Sequence, residues 1–230
     1  MGRSITALVP MKGHSERMPG KNTRLLCGAP LFHWILDSLC QSEYVVDIVV
    51  DTDDDAIADD VQKRFSRVTL LSRPEDIRGD YVPMNAIIKY DLTQCRGDHF
   101  IQTHSTNPLL TGGTIDAAIA RYFDGLGTYD SLFSVTRHQA RMYWQDGRPI
   151  NHDPEELLPT QLLDPIYEEN SNFYVFSKAS FAQSGDRRIG LRPQMFDVNP
   201  LEAVDIDEEQ DFVLATILMK QRLSERGGDQ

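Results

Sequence analysis

Short apolar runs alternate along the chain with amphipathic stretches of helical spacing. The apolar runs predict buried strands at 5–9, 44–50, 68–72, 99–103 and 131–136. The amphipathic stretches predict helices at 30–42, 56–65, 84–94, 114–123 and 208–223. Strands that alternate with helices form βαβ units, so the pattern predicts an α/β protein with a mostly parallel sheet. At 230 residues, one domain over 1–230 is the simplest organisation.

The loop after the first strand carries glycines and cations together. Residues 10–22 read P-M-K-G-H-S-E-R-M-P-G-K-N, with the cations Lys12, Arg17 and Lys21. Glycine lets backbone N–H groups approach an anion, and Lys and Arg supply charge, so the loop suits a polyphosphate. Neither the Walker pattern nor G-x-G-x-x-G is present.

Two acidic segments follow strand-like runs. Residues 51–55 contain four aspartates, which could chelate a cation, but a solvated strand end followed by a helix N-cap is the favoured interpretation. Near the carboxyl end, Asp205 and Asp207 flank Ile206. Residues i and i+2 of an extended segment project to the same side, so these two carboxylates can face one Mg²⁺ ion.

Composition narrows the possible partners. The formal charge of −12 argues against binding to nucleic acid or to an anionic membrane surface. Three cysteines without metal-like spacing favour a reducing compartment, and no apolar run reaches eighteen residues. We therefore expect a soluble protein of the cytoplasm. The tail at 226–230 is expected to be frayed.

Residues 10–22 resemble, without a gap, the signature P-A-R-x-G-S-K-R-x-P-x-K-N of the cytidylyltransferases that activate acidic sugars, the acylneuraminate cytidylyltransferase family. Arg17, Pro19, Lys21 and Asn22 agree with that signature, whereas Lys12 replaces an arginine. Residues 169–176 resemble the family's x-N-G-A-I-Y-x-F, and residues 202–211 resemble its E-S-I-D-I-D-x-x-x-D. The resemblance spans almost the whole chain.

The resemblance implies a doubly wound, Rossmann-like fold of the nucleotide-diphospho-sugar transferase type, with residues 137–170 as a protruding arm that joins two protomers in a homodimer. It implies transfer of CMP from CTP to a 3-deoxy-2-ulosonic acid, with Mg²⁺ or alternatively Mn²⁺ held by Asp205 and Asp207. Lys12, Arg17 and Lys21 would be the catalytic cations. The implied nucleotide-binding residues are Lys12, Gly13, Arg17, Lys21, Asn22, Arg73 and His104.

For the acidic acceptor, the resemblance implies binding by Arg141, Gln161 and Tyr174. The family has an Arg-Gln pair where this chain has Thr160 and Gln161, so one cation for the sugar carboxylate is missing. Unless Arg137 or Arg148 in the arm replaces it, we expect N-acetylneuraminate to be a poor substrate.

Two alternatives remain open from the sequence. The acceptor could be a pseudaminic or legionaminic type of acid, the latter with possible use of GTP. The second alternative is a protein of the same fold that binds a sugar nucleotide without catalysis, although the presence of Lys21, Asp205 and Asp207 argues against it.

Overall fold

A computed structural model describes residues 3–227. The strands in this part of the chain are β1 Ile5–Met11, β2 Leu25–Leu26, β3 Ala29–Pro30, β4 Val45–Thr52, β5 Val68–Ser72, β6 His99–Thr103, β7 Ser131–His138, β8 Ile166–Ser177 and β9 Pro193–Asp197. The α-helices are α1 Leu31–Gln41, α2 Asp55–Arg64, α3 Met84–Gln94, α4 Gly112–Gly125, α5 Lys178–Gln183 and α6 Glu209–Gly227.

Seven of these strands form one sheet in the order β5-β4-β1-β6-β8-β7-β9, and β2 pairs with β3 in a separate hairpin. Strand β8 runs antiparallel to both of its neighbours, whereas the other pairings in the large sheet are parallel. The predicted α/β fold with a mostly parallel sheet is therefore confirmed.

Helices cover both faces of the sheet, as a doubly wound fold requires. Alternate residues of β1 enter two different cores: Ala7 and Val9 pack with side chains of α1, α2 and α4, while Leu8 packs with those of α3 and α5. A strand buried on both faces explains the unbroken apolar run from which β1 was predicted.

The structure adds elements that the apolar pattern did not predict, namely β8, the β2–β3 hairpin, α5 and β9. The hairpin strands have two residues each and α5 has six, β9 begins at Pro193, and β8 begins with a largely exposed stretch, so none shows a clear periodicity. Helix α6 continues to residue 227, beyond the predicted end at 223, and the rest of the tail expected to be frayed lies outside the described residues.

The chain between β7 and β8 is largely irregular, as predicted for residues 146–164. It contains an isolated bridge between Tyr143 and Pro149 and one short 3-10 helix, Thr160–Leu162. Across residues 3–227, we find no helix with the length and hydropathy that a bilayer span requires.

Candidate active site

One cavity of about 410 Å³ lies where β1 and β6 end. The strand order reverses here, because the chain runs outward from β1 through β4 to β5 and then crosses to β6. Open α/β sheets bind ligands in the crevice at such a reversal. Within residues 3–227, five Lys or Arg and three Asp side chains line it: Lys12, Arg17, Lys21, Arg73, Arg188, Asp80, Asp205 and Asp207. In a chain of formal charge −12, this local excess of cations favours an anionic ligand.

Lys21 connects the basic loop to the D-x-D segment. Its predecessor, Gly20, has a φ of 67°, which glycine adopts without strain, and this turn sets the direction of Lys21. Lys21 Nζ donates to the carbonyl oxygen of Ile206 at 2.9 Å and to Asp207 Oδ1 at 3.1 Å. Arg17 Nη2 lies 2.8 Å from the same carboxylate oxygen. The two segments, 186 positions apart along the chain, therefore form one site.

The D-x-D segment presents its two carboxylates to the cavity. Ile206 between them is fully buried among apolar side chains of the loop and of α6. Asp211 at the start of α6 accepts the backbone N–H of Asp207 at 3.0 Å and that of Glu208 at 2.8 Å. The apolar anchor and this cap fix the direction of both carboxylates.

These carboxylates fit a divalent cation. Asp205 Oδ1 is buried and has no hydrogen-bond partner among the described residues, and burial raises the pKa of Asp205. A buried oxygen without a donor is costly unless a ligand satisfies it. No group of three or more His, Cys, Asp or Glu side chains converges within residues 3–227, so a cation held by Asp205 and Asp207 would take its other ligands from substrate and water.

Asn22 fixes the loop to the neighbouring strand end. Its side-chain nitrogen donates to the Lys12 carbonyl oxygen at 2.9 Å, and its side-chain oxygen accepts from Ser105 Oγ at 2.8 Å. Asn22 is buried and lines the cavity. Its polar groups therefore hold the loop at the end of β6.

Arg73 lines the floor of the cavity, where it forms a buried ion pair. Its Nε donates to Asp51 Oδ1 at 2.7 Å, and its Nη2 donates to the carbonyl oxygens of Met11 and Asp51, both at 3.2 Å. Asp51 is fully buried, so the prediction that the acidic run is solvated was wrong at this position. At Asp54 the predicted N-cap is confirmed, because its carboxylate accepts the N–H groups of Ala56 and Ile57.

Asp91 on α3 packs against this ion pair. Among the described residues, no N–H or hydroxyl group donates to either of its carboxyl oxygens or to Asp51 Oδ2. Burial and the adjacent Asp51 raise the pKa of Asp91 to about 9. Asp91 is therefore protonated at neutral pH, and its carboxyl group can donate to the Asp51 carboxylate that pairs with Arg73.

We expect Asp91→Asn to stabilise the protein at alkaline pH. The pKa of Asp91 rises from 3.8 to about 9 on folding, so the folded state binds more protons in this range. The contribution of Asp91 to the free energy of unfolding is therefore fully present below about pH 4 and is lost as the pH rises towards 9. Asparagine keeps a donor for Asp51 without a titrating proton, so the free energy of unfolding at pH 8 should increase by at least about 1 kcal/mol. Urea unfolding across pH 5 to 9 measures this, and a variant no more stable than wild type at pH 8 contradicts it.

His104 follows β6 and lies between the cations of the cavity. Burial lowers its pKa to about 4, and the nearby charges of Arg188 and Lys21 act in the same direction. The imidazole is therefore neutral at neutral pH. It can hydrogen-bond a ligand without adding charge.

Several residues expected at the site lie elsewhere. Gly13 does not line the cavity, because its N–H donates to Asp53 Oδ1 at 2.8 Å, and an added Cβ would lie 2.5 Å from Asp54 Oδ2. The glycine makes room for the acidic turn, and in this structure its N–H is bound by the Asp53 carboxylate. Arg141 and Gln161 belong to the irregular chain between β7 and β8 and do not line the cavity either.

Tyr174 is buried beneath the cavity. Burial raises its pKa to about 12, and its hydroxyl donates to the Glu169 carboxylate. Its ring faces the Arg188 guanidinium, whose central carbon lies 4.1 Å from the ring centroid. Arg188 was not predicted as a site residue, because it follows the unpredicted helix α5 and an irregular turn, and neither carries a motif.

Three comparisons agree with this arrangement. The family model described as cytidylyltransferase matches residues 6–223. The N-acylneuraminate cytidylyltransferase of Oncorhynchus mykiss is 27% identical over 222 residues, which are 93% of this chain but 50% of that protein, so the chain spans about half the length of this relative. The CMP-N,N'-diacetyllegionaminic acid synthase of Legionella pneumophila is 27% identical over 229 residues, covering 94% of this chain and 96% of that protein.

Among solved structures, a CMP:2-keto-3-deoxy-manno-octonic acid synthetase complexed with CTP is similar, with a TM-score of 0.71 at 14% identity. The similarity covers 95% of this chain and 99% of that one and supports the fold. Since the family model covers all but the ends of the sequence, and since the cavity brings together the basic loop and the D-x-D segment, the chain belongs to the cytidylyltransferase family.

Proposed function

We propose that the protein transfers CMP from CTP to a 3-deoxy-2-ulosonic acid of the sialic acid type and releases pyrophosphate. The observation that carries this proposal is the contact of Lys21 and Arg17 with Asp207, which joins a basic loop and a pair of carboxylates in one cavity. Cations stabilise the negative charge of a phosphate group during its transfer. A pair of carboxylates can hold the metal ion that assists such a transfer.

In the proposed reaction, the anomeric hydroxyl oxygen of the sugar attacks the α-phosphorus of CTP. The bond from that phosphorus to the bridging oxygen breaks, pyrophosphate leaves, and the hydroxyl proton passes to water. Lys12, Arg17 and Lys21 bind the triphosphate, and the barrier is lowered by charge stabilisation and alignment. A Mg²⁺ or Mn²⁺ ion held by Asp205 and Asp207 would neutralise phosphate charge and polarise the phosphorus–oxygen bonds.

The contacts of Asp207 suggest how Lys21 and Arg17 are positioned for a phosphate. Lys21 and Arg17 are the partners of this carboxylate in the structure, at 3.1 and 2.8 Å. When a nucleotide binds, its phosphate oxygens can replace Asp207 as partners of both cations, which frees the carboxylate for a metal. The cations are thereby positioned before the substrate arrives, so little reorganisation is needed.

CTP is the expected donor, and an assay with several sugar acids identifies the acceptor. The purified protein should release pyrophosphate with CTP and Mg²⁺ only when a 3-deoxy-2-ulosonic acid is present, with GTP, ATP and UTP as controls. The acids compared are N-acetylneuraminate, a legionaminate, a pseudaminate and an eight-carbon ulosonate, with mass spectrometry of the product. We expect N-acetylneuraminate to be the poorer substrate only if no other arginine replaces the cation that is missing at Thr160. Binding of CTP without a product from any acid would instead support the non-catalytic binder.

We further propose a homodimer formed through residues 137–170, in the cytoplasm where CTP is available. Within this segment, large apolar side chains are exposed, namely Tyr143, Trp144, Ile150, Leu157, Leu158, Leu162 and Tyr167. Exposed apolar side chains concentrated in one segment are what a protein interface requires. The second protomer would cover it.

A further inference from the structure

Arg188 enters the cavity from the turn that follows α5. Its Nε donates to Asn85 Oδ1 of α3 at 3.1 Å, and its Nη1 donates to Gln102 Oε1 of β6. The ring of Tyr174 supports the guanidinium from one side, 4.1 Å from its central carbon. Three separate elements therefore hold this side chain in one orientation.

The charge of Arg188 has no direct counter-ion. Its two hydrogen-bond acceptors are neutral amide oxygens, and no carboxylate lies within 4.0 Å of it among the described residues. Glu169, a carboxylate whose charge acts to raise the pKa of Arg188, accepts the Tyr174 hydroxyl. Burial lowers the pKa of Arg188, as expected for a cation removed from water without a partner. Nη2 makes no hydrogen bond within residues 3–227, so one edge of the guanidinium is free to bind an anion.

The position of Arg188 separates it from the cations of the basic loop. In the sheet, β6 lies between β1 and β8. Lys12 and Lys21 follow β1 on one side, whereas Arg188 lies over Tyr174 of β8 on the other, and His104 follows β6 between them. The two groups of cations can therefore bind two different anions across one cavity.

We propose that Arg188 binds the carboxylate of the acidic acceptor sugar, an inference that rests on the proposed function. The triphosphate already has Lys12, Arg17, Lys21 and the metal pair, whereas within the described residues no residue of the irregular segment 139–165 reaches the cavity. Guanidinium and carboxylate form paired, charge-assisted hydrogen bonds, which suit recognition of an acid. Arg188 thus supplies the cation that the sequence lacks at Thr160.

The test compares Arg188→Gln with Arg187→Gln. Arg187 is the matched control, because it is exposed, donates to the Ser184 carbonyl oxygen at 2.6 Å and does not line the cavity. Loss of charge-assisted bonds should raise the KM for the acid about tenfold to a hundredfold in Arg188→Gln. The KM for CTP should stay within about twofold of wild type, and Arg187→Gln should change neither value.

Removing the charge of the acid by methyl esterification tests whether Arg188 binds the carboxylate itself. Wild type should bind the free acid at least about tenfold more tightly than its methyl ester, and Arg188→Gln should bind both equally. If the variant does not fold, Arg188→Lys keeps a charge and should retain part of the preference for the acid. A higher KM for CTP instead of the acid, or an unchanged preference for the acid, overturns the proposal. Wild-type turnover in the same assay tests the proposed function separately.

Discussion

Replacing Asp205 with asparagine should lower kcat by at least about a thousandfold, because the transfer would lose a ligand of the metal that neutralises the phosphates. The same change should leave the protein as stable as wild type or more stable. Asp205 Oδ1 is buried without a partner in the described part of the chain, so removing its charge removes a cost of folding. Loss of activity with preserved or increased Tm is the combination expected of a residue kept for function.

The measurement pairs steady-state kinetics with thermal unfolding in EDTA. Asp59→Asn is the matched control, since Asp59 is an exposed aspartate of α2 whose only ion pair among the described residues is with Lys63. Exhaustive chelation of wild type should abolish turnover, and Mg²⁺ or Mn²⁺ should restore it. Full turnover after chelation, or a near-native rate for Asp205→Asn, would remove the metal from the mechanism.

Lys21→Met should reduce kcat/KM by at least about a hundredfold, since one buried charge that stabilises the transferring phosphates is lost. The side chain of Lys21 is only 13% exposed, so its interaction with a phosphate is weakly screened by solvent. Arg17 contacts the same carboxylate, but its side chain is 63% exposed. We therefore expect Arg17→Met to have the smaller effect.

Lys21 also donates to the carbonyl oxygen of Ile206, so the variant must be shown to fold. Lys89→Met is the control for loss of an exposed lysine that pairs with an aspartate, here Asp186. Its activity should equal that of wild type. If folded Lys21→Met has near-native rates, the basic loop does not act in catalysis.

The sequence by itself determined the repeating βαβ pattern. Strand β5, helix α3 and strand β6 have the bounds that the sequence pattern predicted, because their apolar positions pack against the core. The sequence also singled out two segments, the basic loop and the D-x-D segment, that line one cavity in the structure. Glycines with cations, and carboxylates two positions apart, are properties of short contiguous segments and can be read directly.

The tertiary structure decided which residues meet those segments. Asp51 belongs to an acidic run that resembles a solvated turn, yet it is buried because Arg73, 22 positions later, folds onto it. Gly13 belongs to a phosphate-binding pattern, yet its N–H is taken by Asp53, 40 positions away. Local pattern cannot reveal such partners, since they depend on how strands are ordered in the sheet.

Arg188 is the clearest example of this limit. No motif surrounds it, and its partners Asn85 and Gln102 lie 103 and 86 positions earlier in the chain. The sequence predicted that one cation for the acceptor's carboxylate is missing. Candidate residues could be identified only at positions that match a known pattern, and Arg188 is not at such a position. The fold places a cation from an unpatterned turn at the end of the central strands, since burial and long-range hydrogen bonding, not sequence spacing, determine where a side chain points.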